Sequence, residues 1–184
     1  MKINSLARRA TISFAVRPLV AVAVACGGPK TGVPAEAPPG VSLQPLRVAV
    51  EFAFDSLDAR PVSARSMRGK PTVIAFVTTG SLPAQAQVDY LVAMAKNDGD
   101  RINYAVVALD DSGARELVEL YAKALSIPFP VAMADAPTRS GAGAFGDVTA
   151  VPVTVVLDRA GRVAWRVDAR VARNAEIRAA MRGL

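Results

Sequence analysis

Thr72-Val73-Ile74-Ala75-Phe76-Val77, then Thr78-Thr79-Gly80-Ser81, then Leu82-Pro83-Ala84 is the stretch on which the reading of this sequence turns. The first six residues are almost continuously apolar, the pattern of a strand buried on both faces. Pro83 suits the first turn of a helix, where a missing N–H leaves nothing unsatisfied. Val88, Leu91, Val92 and Ala95 then recur at i, i+3, i+4 and i+7, one face of a helix predicted over residues 82–96. Asn97-Asp98-Gly99-Asp100 closes it. A buried strand, a four-residue loop and a helix make an α/β unit.

The pattern continues on both sides. Downstream, residues 102–109 form a second buried strand. Asp110-Asp111-Ser112 opens another helix, with an acid or serine as its cap and Leu117, Leu120, Tyr121 and Ala124 as its apolar face. Phe129-Pro130-Val131 is a short extended piece, and residues 143–146 are expected in a short helix. Val153-Thr154-Val155-Val156-Leu157 is a strand that turns through Asp158-Arg159-Ala160-Gly161 into residues 162–167. A last helix is predicted over residues 173–182. Upstream, residues 47–54 alternate as a strand does, and 55–61 read as a turn, giving an N-terminal hairpin. This order predicts a mixed sheet covered on both faces.

Composition narrows the chemistry. Hydrophobic residues make up 52% of the 184, enough for a sizeable core. The net charge of +6 is uneven: residues 1–25 carry Lys2, Arg8, Arg9 and Arg17 and no acid. Without those four, 18 basic and 16 acidic residues remain, a net of +2. No basic stripe is interleaved with aromatics, so no nucleic-acid partner is expected. Histidine is absent, which removes Ser-His-Asp and Cys-His catalysis and histidine metal sites. The single cysteine, Cys26, forbids an intramolecular disulfide. Asp110, Asp111 and Asp135 match no calcium-loop spacing and read as a helix cap and loop acids. Neither metal nor cofactor is expected.

The N-terminus runs from a basic stretch ending at Arg17 to the apolar Pro18-Leu19-Val20-Ala21-Val22-Ala23-Val24-Ala25, then Cys26-Gly27-Gly28. The apolar run is shorter than the roughly 20 residues that span a bilayer, and the layout is that of an export signal. Ala23-Val24-Ala25-Cys26 resembles a bacterial lipobox. That resemblance implies a lipoprotein signal peptide over residues 1–25, cleavage before Cys26, and lipid on its sulfur. The other reading is an ordinary secretion signal with small residues at its cut site. Gly27 is not the aspartate that often marks inner-membrane retention, which points to an outer membrane in a Gram-negative cell. Residues 26–45 hold Pro29, Pro34, Pro38, Pro39 and Pro45 among glycines and read as a tether. The expected domain spans residues 46–184.

Four segments resemble the membrane-anchored thioredoxin-like proteins of bacterial envelopes, the redoxin group of thiol–disulfide oxidoreductases. They are Met67-Arg68-Gly69-Lys70-Pro71, Ile74 to Thr79, Phe145-Gly146-Asp147-Val148-Thr149-Ala150-Val151-Pro152, and the strand pair around Asp158-Arg159-Ala160-Gly161. The resemblance implies a thioredoxin-like α/β fold, a cis-proline at Pro152, and a peptide-binding surface at Val151 and Pro152. It also locates a departure. Where the family carries its two redox cysteines, this sequence has Ser81 and Ala84. No catalytic residue is therefore assigned. A serine hydroxyl is far less acidic than a thiol, and no histidine is present to act as its base. Ser81 reads as a helix cap. Thr78 lies three residues before Ser81, as a threonine precedes the nucleophilic cysteine of peroxiredoxins, again without the sulfur. The expected function is that of an exported, lipid-anchored binding or scaffold module facing the periplasm or cell exterior, whose partner is an envelope protein or extended peptide. The alternatives are a redoxin or peroxiredoxin relative in cell redox homeostasis with an atypical site, or a lone redox thiol at Cys26.

Overall fold

The computed structural model describes residues 48–184. The expectations for residues 1–25, Cys26 and the segment up to residue 45 lie outside the described residues. The elements in chain order are β1 Ala53–Ser56, β2 Val62–Ser63, α1 Ala64–Met67, β3 Thr72–Val77, α2 Leu82–Asp98, β4 Asn103–Ala108, α3 Arg115–Ala124, β5 Val131–Met133, α4 Ala136–Arg139, β6 Val153–Leu157, β7 Val163–Val167 and α5 Asn174–Met181. The strands form one mixed sheet in the order β2-β1-β5-β4-β3-β6-β7. β3, β4 and β5 run parallel; β6 lies antiparallel on the other side of β3, and β7 antiparallel to β6. The expected mixed sheet flanked by helices, with an N-terminal hairpin, is present.

β3 is central because it hydrogen-bonds on both sides and buries both faces. Val73, Ala75 and Val77 face one core, which also holds Val88, Leu91 and Met94 of α2, Val118 of α3 and Ile177 of α5. Ile74 and Phe76 face the other. That second face is covered without a long helix. Val50, Phe54, Val62, Met67, Phe145 and Val148 close it. Its centre is four aromatic rings: Phe145 lies 5.1 Å from both Phe52 and Phe76, and Phe54 stands edge-on to Phe76 at 6.1 Å. Such contacts add to the burial of the rings themselves. All these strands and both cores fall within residues 48–184, so this segment contains what a self-standing domain needs.

Three sequence expectations change. The expected apolar face of α3 is turned: Leu117 and Leu120 are 53% and 56% exposed, while Val118, Tyr121, Ala122 and Leu125 face the core. Both sets satisfy helical spacing, and α3 follows directly on a 3₁₀ turn at Ser112–Ala114. No helix forms at residues 143–146. Gly143 and Gly146 instead make a tight turn, with the Gly146 N–H donating to the Gly143 carbonyl at 2.9 Å. Gly146 has φ +70°, and a Cβ on Gly143 would lie 2.3 Å from Thr138 Oγ1. The short helix lies upstream as α4. Finally, the first strand begins at Ala53, and Asp55 and Ser56 belong to it, not to the turn.

Phe76 has no exposed surface and meets two other rings. Phe76→Ala is expected to lower stability by about 3–5 kcal/mol in urea unfolding, whereas Leu120→Ala, on an exposed face, should change it by less than about 0.5 kcal/mol.

Candidate functional site

The direction of strand order reverses between β3 and β6: the chain steps from β3 to β4 and β5 on one side, then lays β6 on the other. Loops leaving the carboxyl ends of strands converge at such a point. Residues 78–81 leave β3 there, and Val151-Pro152 lead into β6, whose Val153 is paired with Phe76. Ser81 and Val151-Pro152 therefore belong to the same end of the sheet, on adjacent strands. The Val151–Pro152 bond is cis. Pro152 is buried and Val151 half-buried.

Ser81 is the N-cap of α2, with φ −99° and ψ 114°. Its Oγ accepts the Ala84 N–H at 3.3 Å, which satisfies one of the amides that a helix start leaves without a partner. Ala84 is fully buried. Leu82, 80% exposed, and exposed Pro83 stand between them on the surface.

The loop is fastened from the next strand. Asp110, just past β4, accepts the Thr79 N–H at 3.1 Å and the Thr79 hydroxyl at 2.7 Å. The sequence suggested an acid or serine cap here, but Asp110 spans two loops, and no side chain caps α3 or the 3₁₀ turn before it. Asp135 does cap a helix, accepting the Thr138 N–H of α4 at 2.9 Å. Among the described residues, no group of three or more acids, histidines or cysteines is placed to hold a metal ion. Behind the loop, the Tyr121 hydroxyl is buried with no hydrogen-bond partner. Burial, with the charges of Asp89 and Asp110, pushes that phenol up to about 12, so it remains protonated.

Gln87 is a second residue that sequence reasoning passed over. It is fully buried, and its Oε1 accepts the Ala172 N–H at 2.6 Å, tying α2 to the segment before α5. Its signal was present in the sequence: a glutamine on the stripe of Ala84, Val88 and Leu91. At the rim, the Val151 N–H already donates to the Thr149 carbonyl at 3.1 Å, and the Ala150 carbonyl accepts from Ala169 at 3.0 Å. Any incoming backbone would therefore meet the Val151 carbonyl rather than its amide. A cleft of about 520 Å³, lined by Met67, Asn103, Tyr104 and Phe129 among others, opens at the opposite end of the sheet.

Replacing Asp110 tests the fastening. Asp110→Ala strands the Thr79 amide and hydroxyl together, and bonds to a charged acceptor are worth about 1.5–3 kcal/mol. The variant is expected to lose about 2 kcal/mol in urea unfolding and to exchange the Thr79 amide hydrogen faster.

No family model and no curated protein matches this sequence. Solved structures do resemble it. A DsbF homologue from Corynebacterium diphtheriae superposes with a TM-score of 0.63 at 21% identity, covering 74% of this chain and 85% of its own. A thioredoxin-family thiol:disulfide interchange protein from Chlorobium tepidum gives 0.61 at 22% identity, over 80% and 97%. A secreted Mycobacterium tuberculosis disulfide oxidoreductase homologous to Escherichia coli DsbE gives 0.60 at 16%, over 73% and 97%. At these identities the likeness is one of architecture, and it establishes that the protein has a thioredoxin-like fold.

Proposed function

We propose that this protein is a binding or scaffold module of the bacterial envelope, moored through lipid on Cys26, in which a thioredoxin-like domain has no thiol–disulfide activity. One observation carries the reading: at the start of α2, where exchange chemistry would need a thiolate, the Ser81 hydroxyl holds the Ala84 amide. Exchange requires attack by a thiolate and a second thiol to resolve the mixed disulfide. A helix dipole contributes about 1 kcal/mol at most sites, far short of what ionising a serine requires. The buried methyl of Ala84 can resolve nothing.

What remains is a surface. The Val151 carbonyl, the exposed Leu82-Pro83 corner and the Ser81 loop are suited to an extended chain that pairs by backbone and packs a side chain on the apolar corner. Export, lipidation at Cys26 and an outer-membrane position rest on the N-terminal sequence. No helix among the described residues is long and apolar enough to cross a membrane. The fold's likeness to disulfide oxidoreductases favours one alternative, a redoxin that works with a partner's thiols.

Insulin reduction by residues 46–184 in dithiothreitol separates the two. The expected rate equals the uncatalysed background, and turnover above it would favour the redoxin. The double variant Ser81→Cys with Ala84→Cys is expected to gain activity, because a cysteine at the cap position has its pKa lowered by the helix N-terminus. Intact mass of the membrane-extracted protein tests the anchor, since diacylglyceryl attachment adds a large, defined mass to the residue at position 26.

A further inference from the structure

We infer that the end of the sheet opposite the Ser81 loop is a docking surface for anionic lipid headgroups, which sets the pose of the domain on a bilayer. Contacts of three kinds describe this end. The Gly69 N–H donates to the Arg159 carbonyl at 2.9 Å, joining the lead-in to β3 to the β6–β7 hairpin. Lys70 Nζ lies 3.9 Å from Asp100, between α2 and β4. Arg101 donates to the Asn97 carbonyl at 3.1 Å, at the end of α2, whose last turn carries Lys96. Arg68, Lys70, Lys96, Arg101, Arg159 and Arg162 are all exposed along this row.

The acids of the same end, Glu51, Asp98, Asp100 and Asp158, are each paired with one of these cations or with Arg178, which leaves cations in excess. Asp98, 5% exposed, accepts from the Tyr104 hydroxyl and from Arg178 at 2.5 Å. Asp158 is mostly buried and holds the hairpin turn, accepting the Ala160 and Arg162 N–H groups at 2.9 Å each and pairing with Arg162. Glu51 is paired with Arg68, and Asp100 is the acid beside Lys70. Lys96 has no acidic partner among the described residues, whereas Arg159 Nε donates to the Leu184 oxygen at 3.2 Å and Arg101 lies 4.0 Å from Asp98. The other end of the sheet is different, with exposed Asp111, Glu116, Asp135 and Asp147 around its loops.

A second observation selects a membrane as the occupant. The Val50 N–H donates to the Gly161 carbonyl at 2.9 Å, so the chain joins the domain at the tip of the basic hairpin. A cation near an anionic surface strengthens the attraction about fivefold, over a range of about 10 Å. Cations spread over one end, without interleaved aromatic side chains, fit a broad anionic surface better than a single strand of nucleic acid. The choice of a membrane rests on the anchored reading above, and because the test omits Cys26 the two can fail separately.

Residues 46–184 are sedimented with vesicles of phosphatidylcholine alone or with about a third phosphatidylglycerol. Binding to the anionic vesicles only, lost at high salt, is expected. The triple variant Lys70→Gln, Lys96→Gln, Arg159→Gln should bind on the order of a hundredfold more weakly with an unchanged melting curve. Asp111→Asn at the far end should not weaken binding. Should the triple variant fail to fold, each single substitution is expected to weaken binding about fivefold. Equal binding to neutral vesicles, no binding, indifference to the substitutions, or equally tight binding to a duplex DNA oligonucleotide would overturn the inference.

Discussion

The hand of the strand–helix–strand crossover is the constraint on which this architecture rests. Right-handed crossovers are nearly universal because a twisted strand feeds a helix back onto the sheet only that way. From β3 the chain steps to β4 and on to β5 in one direction. Two steps of the same hand place α2 and α3 on the same face, and α5 joins them there. The other face must be closed by something else. Phenylalanines from the N-terminal segment, from β3 and from the loop before β6 close it. The N-terminal extension is thus part of the core.

The same topology gathers the loops of the candidate site. Because β6 returns on the free side of β3, the segment with the cis bond enters the sheet beside the start of α2. Each loop there has its own local hold: Asp110 on Thr79, Ser81 on Ala84, Gln87 on Ala172. None of these holds involves sulfur. Carboxylate, hydroxyl and amide groups make them instead.

Much of this was legible in the sequence, and the gaps have physical causes. β3, α2 and the β6–β7 hairpin were evident because long apolar runs, a proline at the helix start and an Asp-Arg-Ala-Gly turn all agree at those places. α3 is legible as a helix but its buried face is not: Leu117-Leu120-Tyr121-Ala124 and Val118-Tyr121-Ala122-Leu125 are equally good stripes. Packing against the sheet, which local pattern does not contain, buries the second. β5 has three residues, and pairing with β4 and β1 makes it a strand more than its own pattern does. The Asp110–Thr79 link spans 31 positions, so local pattern could only offer the acid to the nearest helix.

Ser81 at the cap position also changes how the domain withstands oxidative stress. Enzymes built around an exposed thiolate lose function as that sulfur climbs to sulfinic and sulfonic acids. From residue 48 onward this chain's sulfur is all methionine thioether, at Met67, Met94, Met133 and Met181. The first three lie within the cores, shielded from peroxide, while Met181 is only partly covered on α5. Conditions that oxidise exposed thiols would leave the Ser81 end of the described domain chemically unchanged.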